Sequence, residues 1–244
     1  AGDTSVPVRS LALLLQQADG QQWRMAMNTP PVLAVATPQA FLEQVQAMRA
    51  DPATGKPDPA RMQAFFAAHP ESAAFRQWAQ QHKPTSSFAN STYNSINAFY
   101  LINAAGVRQA VRWALQPEVA VQPLLAGATG SALLQEELLD RLQQGPVRWQ
   151  LILTLADAAD PLTDATQAWP ASRRQLNAGS LVLEQAVSQQ EGACRDINFD
   201  PLILPAGIEP TADPILQARS AAYAESFKRR TAEGAPQPAR GVQL

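Results

Sequence analysis

The segment at residues 196–230 reads DINFDPLILPAGIEPTADPILQARSAAYAESFKRR, and it carries the strongest structural signal in the chain. Asp213 and Pro214 are typical of a helix start, because an aspartate caps the first turn and a proline fits the first helical position. Alanine-rich sequence sustains the helix, and the basic residues 228–230 lie where cations favour a helix C-terminus. The pattern therefore predicts a helix over residues 213–232.

One face of this helix presents a phenol between two guanidinium groups. At about 100° per residue, Arg219, Tyr223 and Arg230 fall within about 40° of one another. A free phenol is protonated at neutral pH, whereas ferric iron is bound well by tyrosinate, so an iron site must favour the anion. A guanidinium one helical turn before the phenol favours the tyrosinate, because its positive charge stabilises the anion. The Arg-x-x-x-Tyr spacing is also common on helix surfaces that bind nothing, and the spacing by itself leaves both interpretations open.

The composition favours one globular domain over residues 1–244. A chain of 244 residues with 46% hydrophobic content can bury a full core. The formal net charge is −2 and Lys and Arg form no long run, so we expect no nucleic-acid partner. No apolar run approaches the about 20 residues that a membrane helix needs. We therefore predict no membrane span.

Hydrophobic periodicity predicts an α+β fold with one antiparallel sheet and helices in two places. Strands are predicted at residues 6–15, 21–27 and 32–35, in a hairpin over 95–113 with its turn at 103–106, and at 148–155 and 181–187. A helical insertion over residues 37–83 has helix starts at Thr37, Asp58 and Glu71, and a further helix is predicted over 133–144. A long loop is expected over 157–174. This outline predicts a sheet that closes into a barrel.

The segment at 196–230 resembles the proximal region of the catalase family. The likeness lies in its FDP stretch, its GIEP stretch, and a helix with Arg-x-x-x-Tyr and a second Arg eleven residues after the first. The motif ARSAAY is similar to that of the small catalase-related haem peroxidases. Further likeness is carried by VRSLALLLQQADGQQWRMAMNTPPVLAVATPQAF, NSTYNSINAFYLINAAG and VRWQLILTLAD. The resemblance implies a catalase-like antiparallel β-barrel with helical insertions and a C-terminal haem-binding helix, the N-terminal part of the family fold being absent.

The resemblance also implies a haem b cofactor and a role for each of five residues. Tyr223 is expected to be the iron ligand, Arg219 to contact it, and Arg230 to bind a haem propionate. On the opposite side, Asn28 is expected to act as a catalytic residue that orients peroxide by hydrogen bonding. Phe41 is expected to pack against the haem.

The distal histidine of the family has no counterpart in this sequence. In the family it lies well upstream of the distal Asn, in a His-Ala-Lys-Gly context, and only 27 residues precede Asn28 here. Peroxide cleavage needs a base that moves a proton from one oxygen to the other, which is that histidine's role. We expect His69 and His82 to be helix-end residues. The chain is accordingly expected to be a piece of a longer enzyme or a haem-binding remnant with little turnover.

The predicted function is that of a haem-dependent peroxidase. It would reduce hydrogen peroxide or organic hydroperoxides with a small organic electron donor and show a weaker catalase activity. One alternative is a haem hydroperoxide lyase or dehydratase acting on lipid hydroperoxides, since the resemblance implies a fold that supports this chemistry and the smaller Leu33 and Ala34 stand where the family usually has an aromatic pair, which leaves room for such a substrate. Thr29 stands where the family has a second Asn, so a looser distal pocket is expected. Another is a non-catalytic haem carrier or sensor. A bacterial periplasmic location and a monomer or homodimer are expected.

Overall fold

The computed structural model describes residues 8–125, 127–128, 130, 132–188 and 192–233. The strands are β1 (Ser10–Gln16), β2 (Gln22–Asn28), β3 (Tyr93–Asn94), β4 (Phe99–Ile102), β5 (Arg108–Pro117), β6 (Val147–Leu155), β7 (Gln175–Leu183) and β8 (Ile208–Pro210). The α-helices are α1 (Pro38–Ala47), α2 (Pro59–Ala68), α3 (Ala73–Gln81), α4 (Leu133–Gln144) and α5 (Pro214–Glu233). None of these helices has both the length and the apolar composition needed to cross a bilayer.

All strand pairs of the sheet are antiparallel. The order is β1-β2-β3-β5-β4-β8, with β6 on the other side of β5 and β7 next to β6. Strand β5 is central because it pairs with β3, β4 and β6 along its length. The sheet is curled, and within the described residues its outer strands β1 and β7 each pair with one neighbour. The predicted antiparallel sheet is confirmed, as a partial barrel.

The inner face of the sheet forms the main hydrophobic core. Alternate residues of β2 and β5 point inward, so Met25, Met27 and Leu115 are each about 1% exposed. Trp113 lies at the centre, where its ring stacks on Phe99 with the ring centroids 4.4 Å apart. Leu216 of α5 is fully buried in the same cluster, which docks the first turns of α5 against the sheet.

The helical insertion begins as predicted because its caps are local. Thr37 Oγ1 accepts a hydrogen bond from the Ala40 N–H at 3.2 Å, and Asp58 Oδ1 accepts one from the Ala60 N–H at 2.8 Å. Each cap is followed by a proline at the first helical position. A second, smaller cluster of buried side chains packs beneath these helices, and Phe65 belongs to it.

The strand predicted at residues 32–35 is wrong. Val32 and Val35 are buried, but they lie in an irregular segment that runs beneath the helical insertion. The Leu33 N–H donates to the Ala165 carbonyl at 2.9 Å, outside any ladder. The segment is apolar because its side chains are buried, and it does not pair as a strand.

Two other strand boundaries differ from the sequence pattern. Strand β7 runs from Gln175 to Leu183, whereas the prediction was 181–187. Its first six residues are exposed, so no buried hydrophobic stretch marked them as a strand. The first predicted strand included residues 6–7, which lie outside the described residues, and β1 begins at Ser10. The loop at 157–174 is confirmed as irregular.

Candidate functional site

A cavity of about 530 Å³ lies between α5, α1 and the segment that follows β2. Most of its lining side chains are apolar, including Val8, Val32, Leu33, Ala34, Phe75, Ile96 and Ile215. Its polar side chains include Asn28, Gln44, Arg219 and Tyr223. The volume and the few convergent polar groups are those of a small-molecule or cofactor site.

Helix α5 is positioned by a buried aspartate. Asp213 is 1% exposed, and its Oδ1 accepts hydrogen bonds from the N–H groups of Ile215 and Leu216 at 2.9 and 3.4 Å. The helix predicted over residues 213–232 is confirmed as Pro214–Glu233. The cap and the buried Leu216 together fix the direction in which the helix presents its next turns.

Arg219 and Tyr223 lie side by side in the cavity wall. Arg219 Nη2 donates to the Tyr223 phenolic oxygen at 3.3 Å, and the guanidinium carbon lies 5.6 Å from the centroid of the tyrosine ring. The contact follows from their spacing of four residues, which places both side chains on one face.

Two shorter hydrogen bonds hold the Arg219 guanidinium from the other side. Nη1 donates to Asn97 Oδ1 at 2.6 Å and Nη2 donates to the Ala26 carbonyl at 2.8 Å. Asn97 is fully buried, and its Nδ2 donates to Asp213 Oδ2 at 2.8 Å. Arg112 is a second cation near Asp213: burial lowers the pKa of Arg112 to about 10, and the Asp213 charge opposes that effect.

Sequence reasoning missed Asn97. A single Asn within an apolar stretch is a signal of a buried, hydrogen-bonded side chain. The sequence did not reveal its partners, because Arg219 lies 122 residues away along the chain.

Asn28 and Phe41 also line this cavity, and the roles that the resemblance implies for them stay predictions. Asn28 ends β2, and its Oδ1 accepts a hydrogen bond from Ser10 Oγ at 2.6 Å. Phe41 belongs to α1 and is 48% exposed. The structure thus brings four of the five predicted site residues together around one space.

Arg230 does not line this cavity. It lies about 10 Å beyond Tyr223 along the helix axis. Its Nη1 donates to the Arg195 carbonyl at 3.1 Å and its Nη2 to the Ile197 carbonyl at 3.3 Å. The propionate contact assigned to Arg230 stays a prediction.

Both histidines lie at helix ends, as predicted. His69 ends α2, and its two ring nitrogens each lie 3.0 Å from a carboxylate oxygen, of Glu43 and of Glu71. His82 ends α3, and its ring stacks on Trp78 with the centroids 4.4 Å apart. His82 lines a separate cavity of about 310 Å³, and neither histidine lines the cavity that contains Tyr223.

The cavity suits a haem. Its apolar walls match a flat macrocycle, and the Tyr223 oxygen is an iron ligand of a kind that haem proteins use. The Arg219 guanidinium lies against that oxygen, with Nη2 3.3 Å away. The residues present therefore fit this cofactor.

Three kinds of comparison relate the chain to known proteins. The family model described as Catalase matches residues 1–237. The chain is 39% identical over 234 residues to a catalase-related peroxidase of Synechococcus elongatus, covering 95% of this chain and 69% of that protein. It is 31% identical over 233 residues to a catalase-related peroxidase of Mycolicibacterium paratuberculosis, covering 94% and 73%.

Solved structures show the same fold. A fungal catalase superposes with a TM-score of 0.82 at 18% identity, and a bacterial catalase with a TM-score of 0.80 at 16% identity. The match covers 94% of this chain in the first case and 97% in the second. The chain spans about half the length of these two enzymes, with 48% and 52% covered.

Proposed function

Because the chain belongs to the catalase family, we propose that it is a haem-dependent peroxidase that reduces hydrogen peroxide or an organic hydroperoxide with a small organic electron donor. Two relatives named catalase-related peroxidase support an oxidoreductase that acts on peroxide. The observation that carries the proposal is the Tyr223 phenol in an apolar cavity, with Arg219 Nη2 3.3 Å from its oxygen. A weaker catalase activity, a periplasmic location and a monomer or homodimer remain predictions.

The residues that line the cavity would have different roles in such an enzyme. When bound, haem b supplies an iron centre that takes oxidising equivalents from peroxide and passes them to the donor. Tyr223 would bind the iron through its phenolate oxygen, and Arg219 would hold a positive charge beside that oxygen. Phe41 and the apolar lining would pack against the macrocycle and exclude water.

Asn28 would bind the peroxide on the opposite wall. Its Oδ1 is already engaged by Ser10 Oγ at 2.6 Å. This contact fixes the orientation of the amide, so Nδ2 is the group available to donate to a peroxide oxygen. A donor held in one orientation binds the developing negative charge on the departing oxygen without rearranging.

Replacing Tyr223 with Phe tests the assignment of the ligand. The variant keeps the ring but loses the oxygen, so we expect haem loading and the ferric-haem absorption spectrum to be lost. Tyr100→Phe is the matched control, because Tyr100 lies on β4 and its ring contacts Arg108 rather than the cavity. A normal ferric-haem spectrum in the Tyr223→Phe variant would contradict the proposal.

A lyase or dehydratase acting on lipid hydroperoxides is the second candidate. Leu33 and Ala34 both line the cavity, and small side chains there leave room for an apolar chain. Turnover of hydrogen peroxide and of a fatty-acid hydroperoxide, measured side by side on the loaded protein, separates the two activities. Faster turnover of the lipid substrate, lost selectively in Ala34→Phe, would favour the second candidate.

A haem-binding role without turnover is the third candidate. The described lining of the cavity contains no histidine that could move a proton between the peroxide oxygens. Rapid mixing of the loaded protein with peroxide distinguishes this role, because a carrier would leave the peroxide and an added phenolic donor unchanged. The intact mass of the native protein shows whether a segment with such a base precedes this chain.

A further inference from the structure

Helix α1 lies between the cavity and the core of the helical insertion. Pro38, Phe41 and Gln44 of this helix line the cavity. Ala40 and Glu43, which follow one another by one turn on a different face, contact the insertion instead. A change in how α1 rests on the insertion therefore moves a wall of the cavity.

Helix α1 is packed most firmly in its first turn. Thr37 caps that turn, and Ala40 is the buried residue of the helix, 6% exposed. Leu42, Val45 and Met48, further along, are each about half exposed. The middle and the end of α1 are therefore held by few buried side chains, and polar contacts matter there.

The His69 ring ties the middle of α1 to the end of α2. Its Nε2 lies 3.0 Å from Glu43 Oε2, and its Nδ1 lies 3.0 Å from Glu71 Oε1. Phe65 covers one face of the ring, with the ring centroids 4.5 Å apart. Glu71 and Glu43 are the charged groups that act on the ring, and Arg76 of α3 lies over a phenylalanine ring instead. We call this arrangement the His69 contact.

The charge of the His69 ring decides how many of these hydrogen bonds it makes. A carboxylate only accepts hydrogen bonds, and a doubly protonated ring donates one from each nitrogen. A neutral ring donates from one nitrogen and presents a lone pair at the other. The hydrogen bonds from Gln39 and His69 lower the pKa of Glu43, so its carboxylate stays charged. One carboxylate therefore has to move away when the ring loses a proton.

Glu43 is the partner that moves. Glu71 lies two residues from His69 and its side chain is 30% exposed, whereas Glu43 lies on another helix and its side chain is 43% exposed. The position of His69 itself is fixed, because its N–H donates to the Phe65 carbonyl at 3.0 Å and its carbonyl accepts from Ser72 Oγ at 2.6 Å. Water therefore replaces the ring at the more exposed carboxylate.

We propose that the His69 contact is a pH-dependent latch on the cavity wall, which holds α1 while the ring is doubly protonated and releases its middle when the ring becomes neutral. Release loosens the wall at Phe41 and Gln44 and so eases passage of a ligand. Haem as that ligand rests on the proposed function, whereas the latch is a property of the haem-free chain. The two statements are therefore tested separately.

Hydrogen exchange of the haem-free chain tests the latch. Protection factors of the α1 amides are measured at about pH 5.5 and about pH 8.5, on the two sides of the ordinary histidine pKa of about 6.5. The α4 amides are the reference, because Leu138 and Leu142 pack on the sheet core. We expect the ratio of α1 to α4 protection to fall about threefold at the higher pH, the size of a partly exposed ion pair.

Glu43→Gln is the variant that separates a latch from a plain structural contact. A glutamine amide both donates and accepts, so it hydrogen-bonds to the charged and to the neutral ring, and the protection ratio should be equal at both pH values. Glu225→Gln is the matched control, because Glu225 is an exposed helical glutamate that pairs with Arg229 on α5, and this variant should keep the threefold fall.

His69→Gln replaces Glu43→Gln in this test if the latter does not fold. Its side chain does not titrate, so the protection ratio should again be equal at both pH values. The proposal is overturned if the ratio of the unmodified chain does not change with pH. It is also overturned if the folded variant at position 43 or 69 shows the same fall as the unmodified chain.

The rate of haem release supplies the second readout. Transfer of haem from the loaded chain to an excess of apomyoglobin is followed by absorbance at about pH 6 and about pH 8.5. The rate of the unmodified chain divided by that of Glu43→Gln should rise about threefold at the higher pH. A constant quotient would contradict the effect of the latch on the cavity. If the unmodified chain binds no haem, the proposed function fails, while hydrogen exchange still decides the latch.

Discussion

At the scale of single residues, Arg219 is the side chain on which most contacts of the site converge. Its guanidinium bonds to Asn97, to the Ala26 carbonyl and to Tyr223. The hydrogen bond to Tyr223 is the longest of the three, so the two shorter bonds, to Asn97 and to the Ala26 carbonyl, set the position of the guanidinium. A planar group with several fixed donors is required to satisfy partners in three directions.

Replacing Arg219 with Lys should lower stability and weaken haem binding together. Lysine keeps the charge but cannot reach all three partners, and Asn97 Oδ1 would lose its partner in a buried position. Leaving one buried acceptor unsatisfied costs about 1–3 kcal/mol. Urea unfolding of the haem-free chain measures this loss. Arg229→Lys is the control, because Arg229 is an exposed residue of the same helix that pairs with the exposed Glu225. Equal stability losses in the two variants would contradict the expectation.

At the scale of elements, α1 forms a wall of the cavity and is tied to the end of α2 through His69. Both ring nitrogens of His69 face carboxylate oxygens, which only accept hydrogen bonds, so the doubly protonated ring satisfies both contacts. Glu43 belongs to α1, Glu71 follows α2, and Phe65 covers one face of the ring. The contact holds the wall that carries Phe41 against the rest of the insertion.

The His69 contact should make stability depend on pH. Burial by itself lowers the pKa of His69, but the hydrogen bonds to Glu71 and Glu43 outweigh it and raise the pKa above its ordinary value. A raised pKa in the folded state gives stability that is fully present below the unfolded value, about 6.5, and is lost as the pH rises through the folded value. The effect should be modest because the Glu43 side chain is 43% exposed, so solvent screens its charge.

Urea unfolding across that pH range checks this expectation. The stability difference between the unmodified chain and His69→Gln should be largest on the acidic side and shrink as the pH rises. His82→Gln is the comparison of opposite sign: burial lowers the pKa of His82, so the stability difference for this variant should shrink toward acidic pH. A difference that stays constant with pH would show that protonation of His69 contributes nothing.

At the scale of the whole molecule, the cavity joins parts of the chain that are far apart in sequence. The segment after β2, helix α1, Ile96 and helix α5 all contribute to its lining. A ligand that fills the cavity therefore bridges the sheet and both helical regions. Such a ligand stabilises the folded state of all of them at once.

Haem should therefore raise the unfolding free energy of the chain. With free haem at about 100 times its dissociation constant, the expected gain is about 2.7 kcal/mol. Thermal unfolding followed by circular dichroism, with and without haem, measures it. Tyr223→Phe should show little gain, and a gain equal to that of the unmodified chain would mean that haem binds elsewhere or without the phenol.

Local features of this protein could be predicted from its amino-acid sequence. Helix α5, the starts of α1 and α2 and the hairpin turn at 103–106 were predicted correctly, because caps, prolines and side-chain periodicity act over a few residues. The spacing of Arg219 and Tyr223 on one helical face was predictable for the same reason. Two other segments were not predicted correctly. The first six residues of β7 are exposed although they belong to a paired strand, and residues 32–35 include buried side chains although they belong to no strand.

The surroundings of the Tyr223 phenol depend on long-range contacts. The bond from Arg219 to Asn97 spans 122 residues and the bond from Arg219 to Ala26 spans 193, so no local pattern encodes them. The same holds for the segment around Ile96, which has a φ of +64°, because its neighbour Ser95 donates a hydrogen bond to the Trp113 carbonyl of β5. Arg230 illustrates the limit of local reasoning, since its helical position was predictable but its carbonyl partners were not. Local interactions determine which face of a helix carries a side chain, whereas packing between distant segments determines which residues that face contacts.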